Sequence, residues 1–179
     1  MVPSGEGFTY TFELSHAGTF WYHPHIDTQR QVDLGLYGAL IVEDPADPTP
    51  DVEHILVFDS WGEHEDNDGY ADANAHHGYG HVGSNWTING LSQPTLTVSA
   101  GQSVLLRLIN VSNVGYLQLD QMLDSWHVGS EQGWLPTVQP VEDLLLGPGE
   151  RALLEVLPES SELALTTKPH TDRKSTRLN

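Results

Sequence analysis

His23 and His25 stand two residues apart in the run Thr19-Phe20-Trp21-Tyr22-His23-Pro24-His25. In an extended backbone, residues two apart point to one face, with Cβ atoms about 6–7 Å apart. Two imidazoles at that distance are poorly placed to chelate one small ion. They suit one metal each of a close pair, about 3.5–4 Å apart in two-metal sites. Imidazole is a good ligand for copper, zinc, iron and nickel. Taken alone the spacing is a weak sign, because incidental histidines fall at it too. Composition removes several other chemistries. The sequence has no cysteine, which excludes disulfides, zinc-thiolate sites, iron-sulfur clusters and thiolate-ligated copper from it. With 25 acidic and 7 basic residues the net charge is -18, so a nucleic-acid partner would be repelled rather than bound. That charge suits a halophilic surface or attraction of cations, and says nothing about fold.

The elements that must position the pair have a period of two. Phe8, Tyr10, Phe12 and Leu14 alternate with Thr9, Thr11 and Glu13, as a half-buried strand requires. Further strand-like runs cover residues 19–25, 36–43, 53–59, 94–98, 103–109, 151–157 and 162–166, and no window reads as an amphipathic helix. Asn89-Gly90, Ala100-Gly101 and Gly147-Pro148-Gly149 separate them with turn chemistry. Short strands spaced by turns indicate an all-β Greek-key sandwich or barrel, and 38% hydrophobic residues are enough for its core. No run approaches the roughly 20 apolar residues of a membrane span, and the N-terminus shows neither the basic nor the apolar region of a signal peptide.

Pro45, Pro48 and Pro50 mark a linker over 45–52. Residues 53–167 behind it are long enough for a complete sandwich. Residues 1–44 hold three or four strands, too few to close a core. The expectation is therefore a piece of a longer protein that starts inside a domain. Four of the seven basic residues, Lys168, Arg173, Lys174 and Arg177, fall in 168–179. So abrupt a change in composition sets this tail apart from the fold, as an artefactual or disordered end.

Gly18 to Pro45, with His23-Pro24-His25 and then Gly35-Leu36-Tyr37-Gly38-Ala39-Leu40-Ile41-Val42, closely resembles the end of the first cupredoxin domain of multicopper oxidases of the laccase and copper-efflux type. Further segments are similar to the second domain of that family in the same order. They are Trp86-Thr87-Ile88-Asn89-Gly90, Pro94, Gly101 to Asn110, His127-Val128-Gly129-Ser130-Glu131 and Leu146-Gly147-Pro148-Gly149-Glu150-Arg151. The resemblance covers about residues 8–167. It implies a cupredoxin-like Greek-key sandwich, with 1–44 as the end of domain 1 and 53–167 as domain 2. It makes His23 and His25 ligands of the binuclear type 3 copper pair, one histidine per copper. It also implies one-electron oxidation of a small-molecule or metal-ion reductant, reduction of dioxygen to water at a trinuclear copper cluster, a missing third cupredoxin domain of the same chain, and work outside the cytoplasm. Without the cysteine of a type 1 copper, the piece alone is expected to be inactive.

Other candidates carry less. Residues 62–84 hold five acids, five glycines and His64, His76, His77 and His81; that is a copper-collecting loop or, more simply, a solvated insertion. An EF-hand reading of Asp66-Asn67-Asp68-Gly69 fails because Ala75 stands where the bidentate glutamate belongs. Asp27 and Asp33 follow the pair and are candidates to orient ligands or supply protons, though acids abound here. His16, His54 and His127 read as structural, Trp21 and Tyr22 as core aromatics, and Arg107 as structural with a carboxylate or carbonyl partner. Asn85 and Asn110 each open a glycosylation sequon that chance explains equally well. Three rivals stand beside the oxidase reading: a two-domain oxidase or nitrite reductase, a relative that serves as a scaffold without copper, and an acidic sandwich that binds cations.

Overall fold

The computed structural model describes residues 2–61, 85–119, 125–141 and 143–159, and the backbone of 167–169. The first strands are β1 (Gly18–Tyr22) and β2 (Gly38–Val42), which form a two-stranded antiparallel sheet with a six-residue helix α1 (Thr28–Asp33) between them. The rest is a sandwich. One sheet runs β4 (Asn85–Ile88), β3 (Val52–Trp61), β5 (Val104–Asn110), β10 (Arg151–Val156), β7 (Ser125–Ser130) and β8 (Gly133–Pro140). The other joins β11 (Thr167–Pro169), β6 (Leu117–Leu119) and β9 (Leu144–Leu146). The sheets do not close on each other as a barrel would. The pairing β3–β5 is parallel and the remaining ladders are antiparallel. The all-β sandwich expected from the period of two, cupredoxin-like by the family resemblance, is the architecture found. Among the described residues no helix is long and apolar enough to cross a membrane.

The alternation of β3, β5 and β10 sets the core. Leu56 and Phe58, Leu106 and Leu108, and Ala152 and Leu154 face inward and meet Leu117, Leu119 and Leu146 of the second sheet. β5 is buried along its whole length. Its odd positions Leu105, Arg107 and Ile109 are covered from the outside, where β1 lies, so the strand reads as a continuous apolar run instead of alternating. At the end of β5 the side chain of Asn110 ties three segments together. Its amide donates to the carbonyls of Gly115 and Leu146, and its oxygen accepts from Ser112. So engaged and fully buried, Asn110 is no glycosylation acceptor; Asn85, on β4, is exposed. The turn after β4 uses positive φ at both Asn89 (53°) and Gly90 (79°), the pairing a tight reverse turn favours.

Three expectations need correction. Residues 8–14 join no sheet: Phe8, Tyr10, Phe12 and Leu14 are 66%, 78%, 65% and 53% exposed. Alternation specifies a face but not a partner, and among the described residues no strand pairs with this segment. Residues 94–98 are also irregular, although Val98 enters the core. The helix α1 was unexpected. It starts from Asp27 in the left-handed conformation without a side-chain cap, and it buries only Val32, too little apolar surface to show as a 3.6-residue pattern. Of the strand expected at 162–166 and the insertion at 62–84, both lie outside the described residues, as does the basic tail beyond 169.

Candidate metal-binding site

The strand expected over 19–25 stops at Tyr22, short of both histidines. Pro24 has no N–H to donate to a ladder, and its ring confines His23 to extended backbone. The chain bends at His25, yet the rings stay on one side. Trp21, His23 and His25 form one stack: ring centroids are 4.3 Å apart with planes at 24° for the first pair, then 4.9 Å and 17° for the second. Tyr22 points the other way, over Gly38 of β2. A Cβ at Gly38 would lie 2.4 Å from the Tyr22 hydroxyl, so only glycine leaves room for that ring.

His23 is half-buried and His25 exposed. The Nδ1 of His23 lies 3.1 Å from the Pro24 carbonyl oxygen. A carbonyl only accepts, so Nδ1 carries the proton and the Nε2 lone pair is left for a metal. The same carbonyl accepts from the Thr28 hydroxyl at 3.0 Å, which ties the histidine turn to the start of α1. Among the described residues, no group of three His, Asp or Glu side chains stands where it could hold one ion. The donor set fits copper as two imidazoles of an incomplete site; any further ligands would have to come from outside the described residues.

The side opposite the metal face is anchored hard. Thr19, fully buried, commits every polar group to the sandwich. Its N–H donates to the Glu131 carbonyl at 3.2 Å, its carbonyl accepts from Arg151 Nε at 2.9 Å, and its hydroxyl accepts from Arg107 Nη1 at 2.9 Å. Gly18 beside it leaves only 2.5 Å between a built Cβ and the Glu131 carbonyl. Arg107 is the structural residue expected: it is 7% exposed and bonds Glu53 through Nε at 3.0 Å and Nη2 at 3.2 Å. Burial lowers the pKa of Arg151, and Glu131 opposes the shift.

A second contact holds the stretch between the histidines and β2. The Tyr37 hydroxyl donates to Asp59 Oδ2 at 2.9 Å, and the Ser60 N–H donates to Asp59 Oδ1 at 2.8 Å. On α1, Asp33 accepts from Asn113 Nδ2 at 2.6 Å, and that amide also donates to the Gln29 carbonyl. Asp27 lies 3.9 Å from Arg30. Reasoning from the sequence passed over Thr19, Tyr37 and Asp59. Asp59 left one signal, an acid in the apolar run of β3. Of the single histidines, His16 bonds the Ser15 hydroxyl at 2.7 Å, while His54 and His127 bury an Nε2 without a partner.

The fold is a cupredoxin sandwich, and just past the strand docked on it stand two stacked imidazoles. Comparison with known proteins names the family. The sequence pattern described as multicopper oxidase matches residues 1–47. The cell division protein FtsP of Escherichia coli is 35% identical over 162 residues, 84% of this chain and 34% of that protein. The multicopper oxidase MmcO of Mycobacterium tuberculosis is 43% identical over 61 residues, 34% of this chain and 12% of that one. The crystal structure of the multi-copper oxidase of Pseudomonas thermotolerans superposes with a TM-score of 0.76 at 28% identity, over 99% of this chain and 47% of that one. Residues 1–47 thus carry the multicopper oxidase pattern, and the chain spans about a third of the length of the curated relatives it matches along most of its own.

Proposed function

We propose that this chain is the part of a multicopper oxidase that supplies His23 and His25 to a type 3 copper pair, one imidazole to each copper. In this reading residues 1–44 end the first cupredoxin domain, 45–52 are the linker and 53–167 are the second domain. The observation that carries it is the stacked pair, with the His23 Nε2 lone pair open. Copper bound there would supply one-electron chemistry, ending in reduction of dioxygen to water with electrons from a small-molecule or metal-ion reductant. The chain's own part is to hold the ligands. Trp21 stacks against His23 and limits its ring rotation, the Pro24 carbonyl selects its tautomer, and Thr19 fixes the strand. The remaining ligands, the third cupredoxin domain and the site of electron entry belong to the rest of the protein, which works outside the cytoplasm. The piece alone turns nothing over.

A second reading has its own support. Relatives aligned over most of the chain are named cell division proteins, which favours a binding scaffold on the same fold. One experiment separates the two. The gene is read through on both sides of this frame, and the full-length protein is purified with copper for metal analysis. Histidine motifs on both flanks, with copper lost in His23→Ala and His25→Ala, support the oxidase. Flanks without such motifs, or copper content unchanged by both substitutions, sink it in favour of the scaffold.

A further inference from the structure

We infer that Asn89-Gly90 is a self-modification site, a deamidation-prone pair that the edge of β3 keeps intact while the sandwich is folded. Asn89-Gly90 is the only Asn-Gly pair in the sequence. A glycine after asparagine leaves the attacking amide nitrogen without a side chain to shield it. Both residues are exposed, and a Cβ built on Gly90 would meet nothing within 4 Å. Only the Asn89 side chain is held. The backbone of β4 leaves β3 at this point, because Ile88 and Leu91 bond each other across a tight turn, N–H to carbonyl at 2.8 and 3.0 Å. β3 itself continues back to Val52, with β5 on its other edge and, among the described residues, no strand on this one. The Asn89 side-chain amide takes the place of that strand. Its Oδ1 accepts from the Val57 N–H at 2.9 Å, and its Nδ2 donates to the Ile55 carbonyl at 2.9 Å. The backbone N–H of Asn89 donates to the Val57 carbonyl, also at 2.9 Å. Both ends of the side-chain amide are thus committed to β3, and its Cγ is held off the Gly90 nitrogen until those bonds break.

Once the edge opens, the Gly90 nitrogen attacks Asn89 Cγ and gives up its proton, and the side-chain nitrogen leaves as ammonia. A cyclic succinimide is formed. Water then opens the ring at either carbonyl to give aspartate or isoaspartate, so water is the one co-reactant and no electrons are transferred. Neither product restores the edge. An ionised aspartate has no donor for the Ile55 carbonyl, and isoaspartate adds a carbon atom to the backbone of a turn that has no room in its register for it. Each event leaves the stretch from Ile55 to Val57 bare, as an unpaired edge on which other chains can pair. The modification therefore accumulates with the time that the end of β4 spends open, and it does not reverse.

Peptide mapping by mass spectrometry tests this on the full chain, purified without copper. The protein is held at mildly alkaline pH, folded in one arm and in concentrated urea in the other, and conversion at residue 89 is followed with time. The folded chain reacts only through its open fraction, so two committed hydrogen bonds are expected to slow conversion about 30-fold relative to urea. A difference under about 5-fold, less than two such bonds supply at the low end of their range, overturns the protection. No conversion in urea overturns the site itself. Hydrogen exchange then identifies the guard. In Asn89→Ala the Val57 N–H loses its acceptor, and its protection is expected to fall about 10-fold; unchanged protection shows that the side chain does not cover the edge, and the proposal fails. Should Asn89→Ala not fold, the comparison of folded chain with urea, which needs no variant, decides alone. The copper reading stands or falls separately, because no metal enters these measurements.

Discussion

The two ends of β5 and the strand laid across it invite a comparison between the sandwich and the N-terminal segment. The sandwich closes its own core: Phe58, Leu106, Leu108 and Leu154 are at most 1% exposed. The N-terminal segment has the same alternating grammar in residues 8–14, yet it leaves four large apolar side chains more than half in water. The difference is one of partners, not of pattern. The sandwich contains both faces that a β-layer needs. The segment contains one face and is held in place by polar contacts at Thr19 and Tyr37.

Truncation at the core should therefore break the comparison most. Phe58→Ala is expected to cost about 3–5 kcal/mol, seen as a large fall in the denaturant midpoint with an unchanged slope if the fold survives. Next comes the anchor: Arg107→Met leaves the Thr19 hydroxyl and Glu53 without their partner, at a cost of about 2 kcal/mol. It should also raise hydrogen exchange in β1 more than in β7, and equal effects on both strands would show that the arginine serves the sandwich alone. Asp59→Asn comes third. It is expected to gain about 1–2 kcal/mol at pH 7.5 and nothing at pH 4, read as thermal midpoints at the two pH values. A gain of equal size at both would remove ionisation as the cause. The smallest effect belongs to the exposed face. Phe12→Ser should change stability by under about 0.5 kcal/mol and lower self-association in light scattering. A loss of 2 kcal/mol there would mean that residues 8–14 are packed after all.

Much of this was legible before any coordinates. The runs containing β1, β2, β3, β5 and β10 were placed within a few residues by alternation and turn chemistry, because those strands present whole apolar faces to a core. The helix α1 was not, since one buried valine makes no stripe. The small sheet strands β6 and β9 were missed because three residues are too few to show a period. At the site, the H-x-H spacing drew attention to His23 and His25, and chain chemistry alone put them on one side of an extended backbone. The stack with Trp21 follows from the same parity.

What the sequence determined by itself is local. Residue parity aimed the imidazoles, proline ended the strand before them, and zero cysteines removed thiolate chemistry from the chain. Tertiary structure decided which distant groups complete each other. Thr19 has no chemical distinction until Arg107, Arg151 and Glu131 close on it from strands and a turn far along the chain. Asp59 is one acid among 25 until burial makes its proton hard to remove, against the hydrogen bond from Tyr37. Spacing along the backbone sets direction, whereas desolvation and pairing depend on what the fold brings near.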